Sequence, residues 1–148
     1  MRTFRVLAAA LTAFTLTASA FAGGEGWLDN YAKALEQARA QKKMVLMSFV
    51  ASESSLQCKK QEDEVFSKPE FKEYAAKNLV LLELDFPRTK EQSGELKDQN
   101  RTLNSQYNVR QFPTIVLLSS AGEVVTRFTG YGGGGAAKMI EKIELFRK

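Results

Sequence analysis

The chain has 148 residues, a formal net charge of +4, a single cysteine and no histidine. The missing histidines exclude imidazole-based triads and most zinc sites, and one cysteine excludes a thiolate metal cluster. What remains is one thiol, carboxylates, lysines and hydroxyls, in a chain long enough for one domain with a continuous core. At the start, Arg2 and Arg5 precede an uncharged, mostly apolar run from Val6 to Ala20. Small residues follow as A-x-A, either Ala18-Ser19-Ala20 or Ala20-Phe21-Ala22, so residues 1–22 read as a secretory signal peptide. A membrane anchor needs ~20 strongly apolar residues, and the threonines make this run a poor one. Cleavage after Ala20 or Ala22 leaves one domain, 23–148, in the periplasm or outside the cell and off the membrane. It removes two arginines and no acids, so the exported domain carries only +2 and gives no argument for a nucleic-acid partner.

Over residues 28–41, Leu28, Tyr31, Ala32, Leu35 and Ala38 recur at helical spacing, with Asp29 as the expected N-cap. "MVLMSFV" (44–50) is apolar without alternation and predicts a strand buried on both faces. A second helix starts at Ser54 or Ser55. Ser54 has Gln57 at capping-box spacing, and Ser55 is an equal cap by residue type. Its continuation "KKQEDE" (59–64) mixes signs and reads as a solvated face. Ser67, with Pro69 in the first turn and Glu70 three residues on, opens a third helix. "LVLLELD" (79–85) is the next strand, and Asp85 at its C-terminal end reads as a paired surface carboxylate. A mostly solvated helix is expected from Glu95 to Tyr107, with Leu96, Leu103 and Tyr107 on one face. "PTIVLLS" and "EVVTRF" form a hairpin through Ser119-Ser120-Ala121-Gly122. "GYGGGG" (130–135) reads as a flexible connector. Ala136-Ala137 stand where a phosphate loop needs lysine and Ser/Thr, so no nucleotide binding is expected. A last helix, Ala136–Phe146, turns Met139, Ile140, Ile143 and Phe146 inward. Strands alternating with helices predict an α/β fold, with a mixed central sheet, helices on both faces and a C-terminal hairpin followed by a helix.

Three features coincide: a buried strand leading through a short loop into a helix that carries Cys58, a later "QFPT", and a glycine-rich segment before the last helix. Together they resemble the thioredoxin fold, and specifically exported thioredoxin-like proteins. Trp27, Ala34, Ala38 and Lys43 followed by "VLMSF" carry the resemblance, as do "EVFSKPEFKEYAAKNLVLLELDFP" and "YNVRQFPTIVLLSSAGEVV", so that it spans residues 27–146. The family's usual active-site pattern is W-C-x-x-C, and the matching residues here are Ser54, Ser55, Leu56, Gln57 and Cys58. Ser48 occupies a strand position where many members carry a buried aspartate.

These departures bear on the chemistry that the resemblance implies. A thiol at a helix N-terminus ionises easily, its thiolate attacks a substrate disulfide, and the second cysteine resolves the mixed disulfide. Ser55 has no useful anionic fraction near neutral pH, so its expected role is to cap the helix, and dithiol turnover is expected to be absent. Cys58, at the resolving position, has two readings. It is either a small buried hydrophobe or a monothiol that exchanges with a disulfide and needs an external thiol to release it. Lys59 and Lys60 favour its thiolate, whereas burial and the missing carboxylate at Ser48 disfavour it. An unpaired cysteine of this kind also allows a disulfide-linked dimer. The resemblance further implies a cis bond before Pro113, and backbone pairing of Phe112 with an extended polypeptide. On the plainer reading, Phe112 is core and Pro113 starts a strand. The expected partner is thus an extended polypeptide or a thiol-containing client protein, with no cofactor and no metal.

Overall fold

The computed structural model describes residues 26–147, so the signal-peptide reading of residues 1–22 lies outside the described residues. In chain order the elements are β1 (Trp27–Leu28), α1 (Tyr31–Gln41), β2 (Met44–Val50) and α2 (Leu56–Gln61). A π-helical turn (Glu62–Phe66) continues α2 and leads to α3 (Pro69–Asn78), β3 (Leu79–Asp85) and α4 (Gly94–Gln106). The hairpin β4 (Thr114–Leu118) and β5 (Val124–Thr129) precedes α5 (Gly135–Glu144). The sheet order is β1-β3-β2-β4-β5. β2 pairs in parallel with β3 from Met44–Leu79 to Val50–Asp85 and antiparallel with β4, giving the mixed sheet expected of this element order.

Burial on both faces explains why the strand sequences do not alternate. Leu46, Leu79, Leu81, Ile115 and Leu117 meet α3, α5 and the π turn on one face. Val45, Met47, Phe49, Leu82, Leu84 and Val116 meet α1 and α4 on the other. Ser48 and Val50 share the face of Leu46, and Glu83 and Asp85 share that of Leu81, because side chains alternate along a strand. This alternation aims the polar residues of β2 and β3 at α2.

Several element boundaries differ from expectation. Leu28 is not helical: Trp27 and Leu28 pair in parallel with Leu81 and Leu82. The cap of α1 is Asn30, whose Oδ1 accepts from Lys33 N at 2.9 Å, and Ala32 is exposed while Ala34 and Ala38 are buried. Asn30→Ala is therefore expected to lower unfolding stability by about 1 kcal/mol. Asp29→Ala should leave it nearly unchanged in the same urea titration. Equal losses would contradict this assignment of the cap. Ser67 does not cap α3. It closes the π turn, donating through Oγ to Glu62 at 3.0 Å, and Lys68 precedes Pro69 at the helix start. The glycine run is not a loose connector, because Tyr131 Oη donates to Glu64 at 2.6 Å and accepts from Gly135 N at 3.1 Å. At Gly134 (φ 94°) a Cβ would fall 2.8 Å from that of Lys138, so no other residue fits there. Among the described residues no helix is long and apolar enough to cross a membrane.

Candidate functional site

The site is built where β2 and β3 end and α2 begins. Ser55 has extended backbone (φ −108°, ψ 113°), and its Oγ accepts from Cys58 N at 3.2 Å. It is thus the N-cap, worth about 1 kcal/mol. Ser54 is not the cap, since its N–H closes a turn onto Ala51 O at 3.2 Å. Leu56 projects from the first turn at 86% exposure, whereas Cys58, a free thiol, is 5% exposed.

The loop that feeds α2 is tied to the β3–α4 connection by two carboxylates. Asp85 accepts from Ser52 N at 3.0 Å and Ser52 Oγ at 2.6 Å. It is 8% exposed, so the surface pairing expected of it is replaced by a buried loop anchor. Glu53 accepts from the backbone N–H groups of Arg88 (2.8 Å), Thr89 (2.7 Å) and Lys90 (2.8 Å), and the Thr89 N–H foremost holds its carboxyl below the usual range. The mixed-charge run is half as expected. Lys59–Asp63 (3.4 Å) and Lys60–Glu64 (3.8 Å) are exposed pairs and Glu62 is exposed too, but Gln61 is buried.

Below the α2 start lies a cavity of about 320 Å³, which Cys58 lines together with Glu62, Glu83, Asp85 and Lys90, with Trp27 and Phe66 as its aromatic wall. Burial pushes the Glu83 carboxyl up to about 7, Asp85 and Glu62 adding repulsion and Lys90 opposing. Glu83 is the register partner of Ser48, whose Oγ is buried and has no hydrogen-bond partner among the described residues. The carboxylate that the resemblance leads one to look for at Ser48 is therefore present one strand over, on the same face. In the sequence, Glu83 stands out only as a carboxylate alternating with Asp85 on one strand. The available signal was a carboxylate inside an otherwise apolar run, opposite the only polar residue of β2.

Beside this cavity stands the β4 approach. The Phe112–Pro113 peptide is cis, and Thr114 Oγ1 donates to Gln111 O at 2.7 Å. Phe112 is half-buried and stacks on Phe86 with centroids 5.1 Å apart, and its own N–H and C=O have no partner among the described residues. Gly130 (φ 74°) closes the corner. A Cβ there would fall 3.1 Å from Gln111 Nε2 and 3.7 Å from Gln57 Oε1, which places Gln57 beside the Phe112 segment. The structure thus gathers Ser55, Leu56, Gln57, Cys58, Phe112 and Pro113 at one end of the sheet. A larger cavity, about 630 Å³, opens at the opposite end between Lys42, Asn78 and Phe146, and no thiol or carboxyl lines it. Among the described residues no group of three His, Cys, Asp or Glu side chains could hold a metal ion.

Such a site holds one thiol, that of Cys58, with the Glu83 carboxyl lining the same cavity. It lacks a second sulfur to resolve a mixed disulfide. Comparison with known proteins follows the same lines. The thioredoxin-like domain family matches residues 31–144. The disulfide bond reductase DsbH of Chlamydia pneumoniae is 32% identical over 116 residues, which cover 78% of this chain and 69% of that protein. A solved structure of a DsbH oxidoreductase superposes with a TM-score of 0.75 at 29% identity, covering 94% of this chain and 93% of the other. A thioredoxin from Thermus thermophilus (TM-score 0.60, 23% identity, 80% and 84% covered) shares the fold. By its matched domain, its sheet and these relatives, the chain belongs to the thioredoxin-like family and is related to DsbH-type thiol-disulfide oxidoreductases.

Proposed function

We propose that this is an exported, periplasmic thioredoxin-like protein that holds an extended polypeptide, such as a thiol-containing client, and performs no two-thiol redox turnover. The observation that carries the reading is Ser55. Its hydroxyl caps α2 at the position where the family's pattern has the first cysteine, so the attacking sulfur is replaced by a hydrogen-bond acceptor. Export rests on the charge and A-x-A pattern of residues 1–22.

Polypeptide binding is supported by two features of the rim. Phe112 offers an unpaired N–H and C=O, the pair of groups an added strand needs. Leu56 and the Phe86–Phe112 stack flank it with apolar surface. Burying one leucine contributes about 1.5 kcal/mol or more, so Leu56→Ala is expected to weaken binding of an unfolded, fluorescently labelled polypeptide roughly tenfold. Because Leu56 packs on nothing in the fold, the melting temperature should not move. Wild-type protein that fails to bind such polypeptides would remove this reading.

A second reading, monothiol exchange, is favoured by one observation: the buried Cys58 is among the residues that line a cavity. A thiol 5% exposed suits a small reagent better than the main chain of a second copy. Alkylation of the native protein by a small reagent decides it, since a cysteine that reacts only after unfolding has no exchange role.

A further inference from the structure

The cavity beside Cys58 has a chemical character of its own. Its volume, about 320 Å³, is roughly ten times the ~30 Å³ that a water molecule occupies in the liquid. That suits a molecule of a few heavy atoms on either side of a sulfur. Four carboxyl groups line it against two ammonium groups. One cation, Lys59, is already engaged by Asp63 at 3.4 Å, and Asp85 is engaged by Ser52. Glu83 is left with no hydrogen-bond partner among the described residues, and Glu62, one of whose oxygens accepts from Ser67 Oγ at 3.0 Å, lines the same cavity. Ser48, 1% exposed and with an equally unpartnered Oγ, lies on the same β2 face as the lining residue Val50 and in register with Glu83. The walls add the rings of Trp27 and Phe66, 5.0 Å apart and edge-to-face. Acidic groups with aromatic faces are the surroundings in which an ammonium group is stabilised, by charge and by the ring quadrupole.

Resting on the monothiol reading, we propose that this cavity is a subsite for a small aminothiol in its disulfide form. Cys58 Sγ is the attacking atom, and Glu83 with Glu62 pairs with the ligand's ammonium group. The exchange balances. The Cys58 thiolate attacks one sulfur of the bis-aminoalkyl disulfide, a Cys58–ligand S–S bond forms as the ligand's own S–S bond breaks, and one aminothiolate leaves and takes a proton from solvent. No net oxidant is consumed, because one disulfide replaces another. An anionic thiol such as a carboxylate-bearing tripeptide meets repulsion from the same carboxyls.

The charge around Glu83 comes from every side. Glu62 and Asp63 reach it from the π turn, Lys59 from α2 and Asp85 from its own strand. Lys90 and Glu91 from the following loop and Asp29 from the β1–α1 link meet it in an adjoining cavity of about 180 Å³. Lys90 is thus the cation left to offset the acids, and the site becomes more negative as Glu83 ionises, a change centred at pH about 7.

The test uses the exported protein and three probes at pH 8: cystamine, bis(2-hydroxyethyl) disulfide and dithiodiglycolate, cationic, neutral and anionic. Modification of Cys58 is followed by intact-protein mass, and each rate is divided by that of free cysteine with the same probe. The expected normalised order is cationic over neutral over anionic, with about tenfold between neighbours, equivalent to ~1.4 kcal/mol each. The cationic preference should shrink at pH 6 and in high salt. Glu83→Gln and, separately, Glu62→Gln should each lower the cationic-to-neutral ratio several-fold. Normalised rates that ignore charge, with the neutral probe still reacting, overturn the subsite and leave monothiol exchange standing. Failure of all three probes to modify the native protein overturns both.

Discussion

Ser55→Cys is expected to give the protein the catalytic disulfide turnover that the wild type is proposed to lack. The γ-oxygen of residue 55 lies 3.2 Å from Cys58 N, at the helix start where unpaired N–H groups favour an anion. A sulfur in that place inherits the same donor, is more acidic than an ordinary thiol, and stands one helical turn from Cys58. Attack by residue 55 and resolution by Cys58 then complete a cycle that a hydroxyl cannot start. With dithiothreitol as reductant and insulin as substrate, the variant should exceed wild type roughly a hundredfold or more, since a serine hydroxyl has a negligible anionic fraction near neutral pH. Oxidation of the variant should also reduce its mass by two hydrogens as the new pair closes. The informative outcome is the wild type's own rate. If unmodified protein turns over disulfides as fast as the variant, Ser55 is not what limits it, and the proposed loss of two-thiol chemistry is wrong.

The second large effect is on stability, and it comes from Glu83. Its carboxyl moves from an ordinary 4.5 to about 7 in the fold, chiefly through burial. A folded value above the unfolded one means that the native state binds the proton more tightly. The stability this confers is complete below pH ~4.5 and is lost as pH rises through about 7. Above that window the fold carries an ionised, poorly solvated carboxylate at a cost on the order of 3 kcal/mol. Glutamine keeps the shape and removes the charge. Glu83→Gln should therefore match wild type closely at pH 4 and exceed it at pH 8 by on the order of 3 kcal/mol. Urea titrations at pH 4, 6 and 8 read this directly, and the gap must open between about 4.5 and 7. A difference independent of pH would mean that the Glu83 carboxyl takes up its proton equally readily in the folded and unfolded chain. The same measurement establishes that the variant used to test the aminothiol subsite is folded.

Glu83 also shows how a site can sit at odds with the packing around it. A carboxyl in a strand whose other members are almost all apolar is a local conflict of the kind that marks function more often than stability. Ser48 opposite it is a second such conflict, a buried hydroxyl without a partner. Neither residue contributes to the core of that face. Glu83 lines the cavity of the protein's single thiol, and Ser48 stands in register with it on the neighbouring strand.

The strands, the helical faces and the family were legible in the amino-acid sequence because each depends on short-range pattern. "MVLMSFV" and "LVLLELD" predicted β2 and β3 to the residue, since strands covered on both faces need continuous apolar character and the flanking polar residues end them. The serine before L-Q-C was legible for the same reason: its consequence for disulfide chemistry lies in the residue type itself. Helix starts were less certain, because Ser54 and Ser55, or Asp29 and Asn30, are equal by residue type, and only the backbone angles decide which side chain reaches the free N–H. Long-range arrangement was not legible at all. That Trp27 pairs with Leu81, that Glu53 gathers three N–H groups some thirty-five residues away, and that Glu83 shares a cavity with Cys58 follow from the register of β3 against β1 and β2. Register is set by the summed packing of both sheet faces, a property of no single segment, and so the tertiary structure alone decided which carboxylate stands beside the thiol.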